Sequence, residues 1–178
     1  MIFDWLIRRA QRTPYYHLSG YMERFWLVPY NRVVRRSPSA NYATAGMADE
    51  TDGTGPVTWR RPVAKLLQLC GIAVRVHHIL RSDAGRDPHD HPWPYVTVVL
   101  RGGYWEHRYA DDTRLVSTRW HGPGSVLVRP ANSWHMLEVP DGQTAWTLFM
   151  TGPKRPGTWG FLVRPGVKVD HHEYRGRA

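Results

Sequence analysis

The sequence predicts an all-β sandwich or barrel behind a partly helical N-terminal arm. Three observations carry this. From Lys65 onward, runs of apolar or alternating residues recur at roughly 8–12-residue spacing. Turn signals separate them, as in "GG", "DDT", "GPG", "PAN" and "PDG". The 178 residues include 16 Gly and 14 Pro, a content that suits many turns.

The length fits one domain with a short extension. A hydrophobic share of 42% with 12% aromatics is globular and excludes a disordered chain. Cys70, the single cysteine, excludes an internal disulfide and fits a reducing cytoplasm. The opening "MIFDWLIRRAQR" has no basic region leading into a long apolar stretch, so no secretory signal is expected. No window approaches the length of a membrane span. The net charge of +9 is nearly all arginine and is spread along the chain. Such a field favours anions, nucleic acid included, but no nucleic-acid motif accompanies it, and a solvated surface is the plainer reading.

Residues 2–12 predict an amphipathic helix with Phe3, Leu6, Ile7 and Ala10 on one face, stopped by Pro14. "YMERFWLVPYN" (21–31) is a second apolar-aromatic segment, compatible with helix up to Pro29. Residues 37–58 are small, polar and Gly-rich and read as a loop or linker. Residues 1–60 are thus an arm, and 61–178 a barrel with a terminal strand or tail. The expected strands begin with "LLQLC" and "IAVRVHHIL", split by Gly71, with no competing helical period up to residue 170. They continue through "YVTVVLR", "YWEHRYA", "RLVSTRW", "SVLVR", "SWHMLEV" and "QTAWTLFMTG" to "WGFLV" and "VKVDHHEY". "QTAWTLFMTG" is apolar on both faces, the mark of a buried strand. His77 and His78 point opposite ways, so at most one faces the interior. His171 and His172 sit in a polar C-terminus without an evident partner.

Two motifs carry the chemistry. In "DPHDHPWPYVTVVLRGG" (87–103), His89 and His91 share a face of extended chain, ~7 Å apart by strand rise. In "GSVLVRPANSWH", Gly124 follows a tight turn, Pro130 opens a hairpin, and His135 enters the next strand facing inward with Leu137. Position 132 calls for positive φ, which Asn132 tolerates best after glycine.

Over residues 65–165 the chain resembles the cupin superfamily. The first cupin motif, G-x5-H-x-H-x3-4-E-x6-G, is similar at His89, His91 and Gly102. The second, G-x5-P-x-G-x2-H-x3-N, is similar at Gly124, Pro130 and His135, with Asn132 in place of glycine. The motif glutamate should fall at 95 or 96, where Tyr95 and Val96 stand, and Val139 replaces the terminal asparagine. The resemblance implies a double-stranded β-helix barrel, or jelly roll. It implies a divalent metal on His89, His91 and His135 without a motif carboxylate. Three histidines are also what cysteine dioxygenase and related thiol dioxygenases place on Fe(II), so Fe(II) is the leading metal. Zn, Ni or Mn suit the same donors.

Tyr95, in the place of the glutamate, is the candidate catalytic residue. Arg75, Trp93, Tyr104 and Glu106 are the candidate substrate-binding residues, with Arg101 and Arg129 further candidates for gripping an acid. Glu106 can alternatively supply a carboxylate from another strand. The expected partner is a small molecule, with a homodimer through the aromatic-rich arm. Three functions stand open: a cytoplasmic metal-dependent oxygenase, a non-catalytic binding or assembly barrel, or a nucleic-acid-associated basic protein.

Overall fold

In a computed structural model, residues 1–14, 17–18, 20–28, 61–83 and 85–174 are described. The expected loop at 37–58 lies outside them. The elements in chain order are α1 (Ile2–Ala10), β1 (Met22–Val28), α2 (Arg61–Leu69), β2 (Ala73–Ile79), β3 (Tyr95–Arg101), β4 (Tyr104–Tyr109), β5 (Leu115–His121), β6 (Val126–Arg129), β7 (Trp134–Glu138), β8 (Ala145–Thr151), β9 (Gly160–Arg164) and β10 (Val167–Asp170). One sheet has the order β1-β2-β8-β3-β6, a second β5-β4-β7, and β9 pairs with β10. The named strand pairs are antiparallel. The two larger sheets enclose the interior of a double-stranded β-helix barrel.

Alternation assigns the faces of the five-stranded sheet. Val74 and Val76 of β2 and Trp146 of β8 point outward and join Phe25, Leu27 and Leu100 in one core. The helices cover this outer core: α1 inserts Ile7 and Ala10, backed by Phe3 and Leu6, and α2 inserts Ala64 and Leu67. The predicted face of α1 is therefore the buried one, while Ile2 and Trp5 stay exposed. A second apolar cluster, including Ile79, Val99, Leu127 and Leu137, fills part of the barrel interior.

Three expectations are corrected. Within 21–31, residues 22–28 are strand rather than helix, because pairing with β2 satisfies the backbone and buries Arg24 through Val28. "LLQLC" is not a strand but the end of α2. Its close is a Schellman motif, with Gly71 N–H donating to Gln68 O (3.0 Å) and Ile72 N–H to Leu67 O (2.8 Å) at a Gly71 φ of +65°. Pro62 near the start and Gly71 past the end were the available signals. The turn after Pro130 is not a hairpin: β6 and β7 belong to different sheets, so residues 130–133 cross between them. Asn132 adopts φ +62° there, as its position in the turn requires.

Gly102 makes the corresponding crossing from β3 to β4. Its φ is +69°, and a Cβ there would lie 2.0 Å from Thr144 O. Gly124 has φ +86° with open space around it. Gly124→Ala should therefore cost about 1–2 kcal/mol from backbone strain alone. Gly102→Ala should cost clearly more, because backbone must move as well. Urea unfolding of the two variants side by side checks the order.

Candidate metal centre

The three histidines meet through the backbone before they meet through their rings. His89 N–H donates to His135 O, and His135 N–H donates to His89 O, both at 3.0 Å. This reciprocal pair docks the segment 87–94 against β7 and sets the two imidazoles side by side, 4.5 Å between ring centroids. His91, two residues on, shares their side, and its carbonyl accepts from Asn132 N–H (2.9 Å). Asp90 between them points away. It is 1% exposed, accepts from Gly160 N–H (2.8 Å) and Lys168 Nζ (2.6 Å), and ties the segment to β9.

One ring nitrogen from each histidine lies within 4.8 Å of the others. His135 Nε2 is 3.2 Å from His91 Nε2 and 3.5 Å from Tyr95 Oη. Behind the rings stand carboxylates: Glu106 Oε1 is 3.3 Å from His135 Nδ1, and Asp83 Oδ2 is 3.7 Å from His89 Nδ1. With Nδ1 turned to a carboxylate, each of these two histidines presents Nε2 to the centre. The triad opens into a cavity of about 100 Å³ in the barrel, walled by Phe149, Phe161, Leu127 and Leu137 among others.

No known family profile matches the chain, and no curated protein matches it in sequence. Solved structures do match. Vicilin from Corylus avellana (hazelnut) superposes with a TM-score of 0.52 at 12% identity, over 82% of this chain and 33% of that one. The polyketide cyclase RemF from Streptomyces resistomycificus gives 0.45 at 18% identity over 83% and 78%. DMSP lyase DddQ from Ruegeria pomeroyi DSS-3 gives 0.41 at 18% identity over 54% and 45%. The fold is that of the cupins. The chain spans less than half the length of vicilin and DddQ, and the likeness is one of fold.

Within this cupin barrel, electrostatics favour neutral imidazoles at His89 and His91. Burial holds His89 down at about 4 against the pull of Asp83, with His135 and Arg86 adding to the depression. Burial, then His89 and His135, holds His91 well below the ordinary range. Burial and the Glu106 charge raise the Tyr95 phenol, so it keeps its proton. Burial would raise Glu106, but hydrogen bonds from His135 and Arg129 outweigh it and leave an ionised carboxylate. A set of three imidazole nitrogens backed by carboxylates fits a divalent metal.

The sequence-predicted residues divide. His89, His91, His135, Tyr95, Tyr104 and Glu106 all line the cavity. Glu106 does not stand free toward a substrate: Arg129 clamps it through Nε (3.1 Å) and Nη2, and His121 approaches at 3.3 Å. That clamp also removes Arg129 from substrate binding. Arg101 pairs with Asp4 of α1. Arg75 and Trp93 lie outside the cavity wall, where the Arg75 guanidinium stacks 4.6 Å from the Trp26 ring and 5.4 Å from that of Trp93. His171, read as partnerless, stacks on Trp159 at 4.5 Å and lines a second cleft with His172 and Trp93. Sequence reasoning missed Arg24 and Arg86 in the wall and the anchors Asp83 and Asp90. Strand alternation in 22–28 was the signal for Arg24, and the helical reading hid it.

Two outcomes follow. Histidines near 6.5 when unfolded but lower when folded make the folded state bind fewer protons, so stability is lost as pH falls. In metal-free protein His89 alone should cost about 3 kcal/mol between pH 6.5 and 4, read as a falling thermal midpoint that added metal restores. Glu106→Gln should weaken metal affinity roughly 10–100-fold by loosening His135, measured by competition with a chromophoric chelator.

Proposed function

We propose that the chain is a metal-dependent cupin enzyme, a non-haem Fe(II) dioxygenase acting on a small thiol or acidic molecule. The observation that supports it is the convergence of three imidazole nitrogens within 4.8 Å at the wall of an internal cavity. His89, His91 and His135 would hold the metal, and neither Asp83 nor Glu106 belongs to the ligand cluster. Fe(II) held there would supply a Lewis-acidic, redox-active centre.

The protein's own contribution is positional. Glu106 and Asp83 orient His135 and His89 through Nδ1. Tyr95 Oη keeps its proton beside His135 Nε2 and is placed to donate a hydrogen bond, or the proton itself, to a substrate oxygen or sulfur. Phe149, Phe161 and Leu137 exclude bulk water and strengthen each polar contact inside.

A second reading, a non-catalytic binding barrel, is favoured by one observation. Both wall carboxylates are already engaged: Asp83 accepts from Tyr21 Oη and Leu137 N–H, and Glu106 from Arg129. In that reading neither carboxylate is left to act as an acid or base on a bound molecule.

Elemental analysis should find near-stoichiometric iron in the wild type and none in His89→Ala/His135→Ala. An oxygen electrode with a panel of thiols and short acids should then register uptake. Tyr95→Phe should lower the rate about 100-fold or more with iron retained. Iron without O2 uptake favours the binding barrel, and zinc or nickel in the site sinks the dioxygenase.

A further inference from the structure

We propose that the outward face of the two helices, α1 and α2, docks on the surface of an anionic lipid bilayer. The inference concerns the outside of the barrel and does not depend on what the triad holds.

Both helices lie on one side of the molecule. Ile7 and Ala10 of α1 and Ala64 and Leu67 of α2 pack into the same outer core, against the five-stranded sheet. Their opposite faces therefore look away from the sheet together. On α1 that face carries Ile2 and Trp5, then Arg8 and Arg12 on the next two turns. On α2 it carries Val63, Leu66 and Leu69, with Lys65 beside them.

These helices are apolar on the side turned to water. Trp5 is 57% exposed, Leu66 62% and Leu69 76%. Single exposed apolar residues are ordinary, but a group of them rimmed by charge marks an interaction site. A tryptophan at the head of an arginine stripe suits the boundary between water and lipid. The ring sits among headgroups, aliphatic side chains enter the acyl edge, and the guanidinium stays with phosphate. At nine residues each, the helices can lie on a bilayer but not cross it.

Charge names the partner. Arg8, Arg12 and Lys65 are exposed and make no ion pair among the described residues. The two helices and the five strands beneath them contain two carboxylates, Asp4 and Glu23. Asp4 pairs with Arg101, and Glu23 with His78 at 2.8 Å. A second copy of the chain would bring the same unpaired cations to the contact, where like charges repel. A nucleic acid would answer the cations but leave Trp5, Leu66 and Leu69 in water. An anionic bilayer answers both. It also gives a partner to the net charge of +9, which the barrel's chemistry does not use.

The test is sedimentation of full-length protein with vesicles of phosphatidylcholine alone and of phosphatidylcholine mixed with phosphatidylglycerol. The mixed vesicles should bind at least about ten-fold more tightly, and high salt should weaken them. Arg8→Gln/Arg12→Gln should remove most of that preference. Leu66→Ser/Leu69→Ser should weaken binding about ten-fold, with metal content unchanged. Lipids with brominated acyl chains should quench the tryptophan fluorescence of the wild type more than that of Trp5→Phe. This conservative variant decides the matter if the serine variant does not fold. No sedimentation, equal affinity for the two vesicles, or indifference to the substitutions overturns the proposal. So does duplex DNA that binds more tightly than the vesicles and is released by the arginine substitutions. A dimer lost in Leu66→Ser/Leu69→Ser, without vesicle binding, also overturns it and gives the face to a second copy. A chain that binds no metal but still prefers the anionic vesicles sinks the dioxygenase and leaves the docking surface standing.

Discussion

The reciprocal backbone pair between His89 and His135 is the contact on which the rest of the site depends. It joins a segment that is not regular strand to one that is, and so converts two distant motifs into one wall. The segment 88–94 is held along its length. Leu162 N–H donates to Pro88 O, Asn132 N–H to His91 O, Arg155 N–H to Pro92 O and Gly152 N–H to Pro94 O. A buried irregular segment normally leaves orphan donors, which are costly. Pro88, Pro92 and Pro94 remove three of them, and each remaining carbonyl named here finds a partner. The prolines that flank "HDH" are therefore what lets irregular chain sit inside a barrel.

Placement of charge follows the same economy. Among the described residues no carboxylate joins the cluster of three ring nitrogens, yet two stand behind it, at the Nδ1 sides of His135 and His89. Glu106 is 2% exposed, and Arg129 from the other sheet neutralises it. A buried carboxylate without that guanidinium would be expensive. The Arg129–Glu106 pair thus ties one sheet to the other directly behind His135. Tyr95 fills the motif-glutamate position with a neutral phenol rather than a charge.

The legible parts of this molecule were those whose signal is local. The strand run from β3 to β10, the histidine spacing, the positive φ at Asn132 and the buried face of α1 each rest on neighbours within a few residues. The illegible parts are tertiary. "YMERFWLV" carries aromatic and apolar residues on both faces, so its period is ambiguous until β2 pairs with it. "RPVAKLLQLC" is short and apolar, where helix and strand patterns overlap, although Pro62 and Gly71 mark its ends. Arg75 points inward as alternation predicts, but Trp26 and Trp93 close over it, and no spacing rule foresees two tryptophans from separate segments. Glu106 read as a free carboxylate for a substrate or the metal because its partners, Arg129 and His135, come from strands distant in sequence.

The same limit explains why Arg24 escaped notice and why it matters. A motif records residues that lie on the barrel's central strands, where spacing is short. The first strand comes from the N-terminal segment, and it reaches the site only by pairing with the strand that carries His77. Every second residue of such an edge strand faces the interior, so whatever side chain it bears becomes part of the cavity. Here that residue is Arg24, buried in the wall. The triad side of the cavity is set by the two motifs, while the wall facing it includes this chain's own first strand. Two barrels with the same triad can then differ in the facing wall, because the first strand lies outside the motifs that carry the histidines.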